Sequence, residues 1–464
     1  DGMKEAEQEG EESEDESAGW IYRNALADDP TDADALSSLG WIKYEKERNL
    51  DEAEGLYNQA LQIQPMHTRT LFNTGLLNVV NNNLDRATHF FRRAVESDPT
   101  SVQAIHSYAR LLHSYTGDLN RAEEMYQHGL RLDPHNYKLL SDFGFMMEYS
   151  KGDMAAAHGL YKMAYVSNPR SPDCLSNRAR TLEKFGRNSE VHAMYREALG
   201  VCPGHVPSLC NYGRFLFAQA VPRDPERAEE LYQRALFVLP DHVDTLVNFA
   251  VLSMEKTEGA KAFEMLTLAL KVEPTKVTAM TSLGVILETR AHQLYRDGDA
   301  VQNEPERKQL IHQADELYCN ALKLEPNDVD TLCNRAALLH CHKGDPGKAE
   351  AELMYRRVMD MRPDHSGAIY NYAFLRQSRG DVKEAMELYE RAYELNPSKE
   401  SYRMALAQFS KSKYAGTLPE EQTEDYDPVD AHLSEHAEKW GRIKALNSRQ
   451  SRRAYQEDSE EVPY

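Results

Sequence analysis

RAEELYQRALFVLP, Arg227–Pro240, sets a small residue at Ala228, a ring four residues on at Tyr232, a second small residue at Ala235 and a proline at Pro240. Spacings of four and three put Ala228, Tyr232 and Ala235 on one face of an α-helix. There the alanines let a neighbouring helix come close while the ring fills the remaining volume. Proline then stops the helix, because it has no backbone donor and disfavours helical geometry in the residue before it. The phrase recurs along the whole chain. Prolines stand at 30, 65, 99, 134, 169, 203, 240, 274, 326, 363 and 397, with spacings of 35, 34, 35, 35, 34, 37, 34, 52, 37 and 34. The bulky slot reads Tyr57, Phe91, Tyr126, Tyr161, Tyr195, Tyr232, Leu266, Tyr318, Tyr355 and Tyr389.

Ahead of each such helix runs another, carrying a small residue at Gly40, Gly75, Ala109, Gly144, Ala179, Gly213, Ala250, Gly284, Ala336 and Ala373. A fixed period of this length marks a helical repeat array. At these slots the chain resembles the tetratricopeptide-repeat (TPR) family, whose unit is a helix–turn–helix with the same small, aromatic and proline positions. The resemblance implies an all-α, right-handed α-solenoid, with ten units over 31–397, half a unit over 14–30 (Ala18, Tyr22, Ala25, Pro30) and a capping helix over 398–412. It also implies a superhelix whose first helices line a long concave groove. Because each unit of such an array touches only its neighbours, the array is expected to be springy along its axis.

Composition narrows the class. A length of 464 residues exceeds one ordinary core, and 41% hydrophobic with 28% charged residues suits a folded chain. A net charge of −21 argues against nucleic acid as a partner, since phosphate binding draws on clustered Lys and Arg. No apolar run reaches the roughly 20 residues that cross a bilayer, and no basic segment leading into an apolar stretch marks a secretory signal. The six cysteines are scattered without a C-x-x-C pair. That pattern predicts a reducing compartment, the cytoplasm first, with a cilium or flagellum or an organelle interior as alternatives.

Several segments depart from the period. Residues 1–17 hold nine acids against Lys4, and an acidic, disordered arm is expected over 1–13. The 52-residue spacing hides an insertion at about 288–311, read as a lengthened helical pair projecting like a finger. After the repeats, 413–430 reads as an acidic linker and 457–464 as an acidic tail. Between them, 431–456 reads as a basic amphipathic helix. Trp440, Ile443 and Leu446 form its apolar stripe, with Arg449, Arg452 and Arg453 among its cations. So short a helix is expected to dock on a partner or on the end of the array.

Two residues before each small slot of the first helix, the chain reads Ser38, Asn73, Ser107, Asp142, Asn177, Asn211, Asn248, Ser282, Asn334 and Asn371. Six of ten are asparagine in a chain with 22 asparagines in 464 residues, so chance accounts for less than one of them. An amide side chain offers both donor and acceptor, and a row of them can hold an extended peptide by its backbone, indifferent to sequence. The row is similar to the asparagine ladder of the TPR superhelix of O-linked N-acetylglucosamine transferases, without any catalytic domain here. One residue after the small slot come Trp41, Leu76, Arg110, Phe145, Arg180, Arg214, Val251, Val285, Ala337 and Phe374. Arg110, Arg180 and Arg214 predict an acidic ligand segment in the centre of the groove, Trp41, Leu76, Val251, Val285 and Phe374 offer apolar seats toward its ends, and Phe145 counts among the groove residues.

The other TPR reading, a clamp on a chaperone's terminal carboxylate, needs a lysine just before the asparagine. Phe72, Ser176, Cys210, Val247, Cys333 and Tyr370 stand there instead. No phosphate loop, dinucleotide fingerprint, H-E-x-x-H or nucleophile elbow occurs. His340, Cys341 and His342 are adjacent and suit an inter-helix turn better than a tetrahedral zinc site. No enzyme, metal or cofactor is expected. The expectation is a protein-binding scaffold that takes extended segments in its groove within a multiprotein assembly. Its alternatives are a permanent structural subunit of a large ciliary or organellar complex, and a substrate-recruiting adaptor for a chaperone or transferase.

Overall fold

A computed structural model describes residues 19–220, 222–296, 303–399 and 401–406. The arm 1–13, the linker 413–430, the basic helix 431–456 with Trp440, Ile443, Arg449, Arg452 and Arg453, and the tail 457–464 lie outside these residues. So do residues 400 and 407–412 of the capping segment 398–412.

Among the described residues every regular element is helical. α1 covers residues 19–28. Then follow α2 Ala33–Glu45, α3 Leu50–Ile63, α4 Thr68–Val80, α5 Leu84–Ser97, α6 Val102–Leu111, α7 Leu119–Leu132, α8 Tyr137–Met146, α9 Met154–Ser167 and α10 Pro172–Lys184. The chain continues with α11 Asn188–Val201, α12 Val206–Ala218, α13 Pro225–Val238, α14 Val243–Glu255, α15 Gly259–Val272, α16 Val277–Arg296 and α17 Glu304–Leu324. It ends with α18 Val329–His342, α19 Gly344–Met361, α20 Ser366–Ser378, α21 Val382–Leu395 and α22, residues 401–406. The fold is an all-α solenoid built as two compact units, Asp1–Thr181 and Leu182–Tyr464, with the boundary inside α10.

Where both helices of a hairpin belong to one unit, the first helix packs against the second, and the small slot explains the closeness. A Cβ added at Gly40 would stand 2.6 Å from the Tyr57 ring; at Gly213, 2.7 Å from Tyr232; at Gly284, 2.5 Å from Tyr318. Each ring is fully buried, as are the alanines on either side of it, such as Ala53 and Ala60 or Ala228 and Ala235. Fully burying a large apolar side chain contributes on the order of 1.5–3 kcal/mol, so the nine buried rings and Leu266 account for much of the array's cohesion. Asp, Asn or Ser side chains cap many of the helices, as Asp32 does by accepting from the Ala35 amide and Asp224 from the Arg227 amide. In the second unit the first helices α12, α14, α16, α18 and α20 touch one another in succession. Their close approach places them on the inner side of that stack.

The insertion lengthens both helices of one hairpin. α16 runs twelve residues past Gly284, and α17 begins fourteen before Tyr318. The extra turns are packed: Leu287 and Ala291 of α16 meet Leu310, Ile311 and Ala314 of α17, and Leu338 of α18 joins the cluster.

Candidate functional site: the inner row of the first helices

The candidate site follows from the register of the first helices. Two positions on each reach toward the neighbouring hairpin: a forward residue, one after the small slot, and a far residue, four after it. The far residues read Tyr44, Val79, His113, Glu148, Glu183, Phe217, Met254, Glu288, His340 and Gln377. In several hairpins the far residue, the buried ring of its own second helix and the forward residue of the following hairpin share a corner.

Two corners are charged. The Arg180 guanidinium donates to Glu148 and to the Tyr161 hydroxyl, each at 2.9 Å, and that hydroxyl donates to Glu148 at 3.2 Å. Only 12% of the arginine side chain and 5% of the glutamate's is exposed. In the second unit Arg214 and the Tyr195 hydroxyl both donate to Glu183 at 2.6 Å. A third set is half built: the Tyr318 hydroxyl donates to Glu288 at 3.2 Å, but Ala337 stands where an arginine would. Glu288 is 1% exposed, and burial raises its carboxyl pKa to about 8. Where the ring is Leu266, with no hydroxyl, the corner is apolar, with Met254 packed against Leu266 and Val285.

Two further corners carry histidine. His113 lies 5.8 Å from the Phe145 ring, ring centre to ring centre, and His340 lies 5.1 Å from Phe374. Burial lowers the pKa of both imidazoles, that of His340 to about 4 with help from Lys348 and Arg379, so both are neutral near pH 7. His113 and Glu148 sit on π-helical turns, Leu112–Thr116 and Met147–Lys151, that close α6 and α8. Each turn ends at a glycine in the left-handed region, Gly117 and Gly152 at φ 70°, where a side chain would be strained.

The residues singled out by sequence fall as follows. All six asparagines lie on first helices in the same register. Asn177, Asn211 and Asn248 are half-buried, while Asn73, Asn334 and Asn371 are buried. The Asn248 amide donates to the Cys210 sulfur at 3.4 Å, and the Asn334 amide nitrogen is buried without a hydrogen bond. Arg180 and Arg214 are already matched by glutamates of this chain. Arg110 is exposed and enters no ion pair among the described residues. Phe145 is 43% exposed and packs against Tyr149, itself 57% exposed, with ring centres 4.5 Å apart and planes tilted by 35°. Trp41 and Phe374 are half-buried, Trp41 against Tyr44 at 5.3 Å. The far residues escaped the sequence reading, although aligning the ten hairpins one turn beyond the forward slot displays them. Among the described residues no group of three or more His, Cys, Asp and Glu side chains is placed to hold a metal, and no helix is long and apolar enough to cross a membrane.

A row of helical hairpins with this internal register defines a helical-repeat binding scaffold. Tetratricopeptide-repeat family models match residues 21–65 and 43–102, 102–136, and 342–409. Residues 21–136 and 342–409 are therefore tetratricopeptide repeats. No curated protein sequence matches it. Two solved structures are similar at 17% identity: PilF of Pseudomonas aeruginosa, over 46% of this chain and 94% of its own with a TM-score of 0.39, and MamA, over 35% and 93% with a TM-score of 0.31. At those scores neither says what this chain binds.

Proposed function

We propose that the chain is a non-enzymatic scaffold whose first helices grip an extended peptide, its asparagine amides pairing with the peptide's main chain. The observation that carries this is the shared register of six asparagines, three of them half-buried on the helices that carry Arg180, Arg214 and Val251. Tetratricopeptide repeats are interaction modules, which supports the class of activity. With Arg180 and Arg214 matched internally, preference for an acidic segment falls to Arg110, while the exposed Phe145–Tyr149 pair supplies an aromatic seat close to Arg180, whose guanidinium lies 5.1 Å from the Tyr149 ring. A place within a multiprotein assembly, in a reducing compartment, agrees with this reading.

The test is binding of a synthetic combinatorial library of unmodified linear peptides to the full chain and to the triple variant Asn177→Ala, Asn211→Ala, Asn248→Ala. Each engaged hydrogen bond contributes about 0.5–1.5 kcal/mol, so losing three rungs weakens capture roughly tenfold or more. Unchanged capture by a folded triple variant rejects the ladder.

A further inference from the structure

The corners differ in what they leave undone. Glu148–Tyr161–Arg180 and Glu183–Tyr195–Arg214 satisfy their own hydroxyls and charges, and the Met254–Leu266–Val285 corner has no polar atom to satisfy. The histidine corners differ from both. In the first unit the Nδ1 of His113 and the hydroxyl of Tyr126 are buried without a hydrogen bond. In the second unit the His340 corner encloses a cavity of about 10 Å³, the size that takes one water molecule. Ala337, the smallest of the ten forward residues, leaves that space open, and His340, Phe374, Tyr370 and the ladder residue Asn371 line it. Tyr370 is 2% exposed, and its hydroxyl has no hydrogen-bond partner. A buried hydroxyl left unpaired costs about 1–3 kcal/mol, so the chain itself leaves a polar demand unmet at this place.

We infer that this cavity receives the hydroxyl of a serine or threonine side chain of the bound peptide. The inference rests on the groove reading above and names the side chain read at one rung. Size admits a hydroxyl and excludes long or aromatic side chains. Charge excludes acids and bases: no Lys, Arg, Asp or Glu lines the cavity, and burial keeps the His340 imidazole neutral. A hydroxyl both donates and accepts, which suits a wall made of a phenol, an amide and a neutral imidazole. The ladder amide Asn371 sits in the same wall, so a peptide held by its main chain there has a side chain within reach of the opening.

The experiment exposes the same peptide library to the full chain and to two variants, and sequences what is bound. Ala337→Leu fills the cavity. Tyr370→Phe removes only the hydroxyl and keeps the ring on Tyr402, 4.6 Å away, so its fold is retained even if the leucine variant does not fold. The expected result is a several-fold enrichment of serine and threonine at one peptide position, lost in Tyr370→Phe and in any folded Ala337→Leu, with preferences at other positions kept. Bound peptides with no such position, or a preference that survives Tyr370→Phe, overturn the inference and leave a water as the cavity's occupant. Failure to enrich any peptide rejects the groove reading itself, and this inference with it.

Discussion

Arg214 of α12 donates to the Glu183 carboxylate at 2.6 Å, with 12% of the arginine side chain exposed and none of the glutamate's. The pair ties one hairpin to the next at the inner row, where the peptide is proposed to run. The same arrangement at Arg180 and Glu148 shows it to be a repeated device of the array. The consequence for function is direct. An arginine held this way offers little to an acidic ligand.

Breaking the pair from one side leaves a buried charge alone. Arg214→Met is therefore expected to cost about 3–5 kcal/mol, read as a lowered midpoint of thermal unfolding. Adding Glu183→Gln to it should recover much of the loss, because no uncompensated carboxylate remains. A single variant as stable as the parent contradicts the buried pairing.

Glu288 lacks that counter-charge, and its folded-state pKa of about 8 lies above the ordinary glutamate value of 4.5. A raised carboxyl pKa means the folded state keeps a proton that the unfolded state gives up. The favourable contribution is complete below about pH 4.5 and lost as pH climbs toward 8. Glu288→Gln should remove this loss and gain stability over the parent on the alkaline side, on the order of a few kcal/mol. Unfolding curves of the two proteins between pH 5 and about 9 check it; parallel pH profiles refute it.

Gly213 faces the Tyr232 ring, where a methyl group would stand 2.7 Å away. Gly213→Ala has better helix propensity yet is expected to destabilise by about 1–3 kcal/mol, since the buried ring has nowhere to retreat. Gly55, a helical glycine with open space around it, is the control. Gly55→Ala should stabilise slightly, by up to about 1 kcal/mol.

Arg110 is exposed and outside the ion pairs, so Arg110→Ala should change stability by no more than about 0.5 kcal/mol. If the groove favours acidic segments here, the variant loses that preference in the peptide library, and the parent's preference weakens with added salt. Salt-independent binding, or an unchanged preference, removes Arg110 from the site.

The repeat was legible because it is a matter of spacing. Small, bulky and proline positions recur at a period that local helix geometry converts into one packed face, so Tyr57, Ala60 and their equivalents could be assigned to the interior from their order alone. The asparagine register was legible for the same reason. Its degree of exposure was not, since Asn177 and Asn334 occupy one slot yet differ in what neighbouring hairpins lay over them. Nor does the forward slot by itself tell that Arg180 and Arg110, alike in slot and residue, differ in kind. Arg180 meets Glu148, more than thirty residues earlier, while the far residue before Arg110 is Val79, which carries no charge to meet it. Period and face are properties of a single helix and follow from the order of residues. Whether a polar group is free, paired or stranded depends on which side chain the next hairpin brings to the same corner, and only the packed structure decides that.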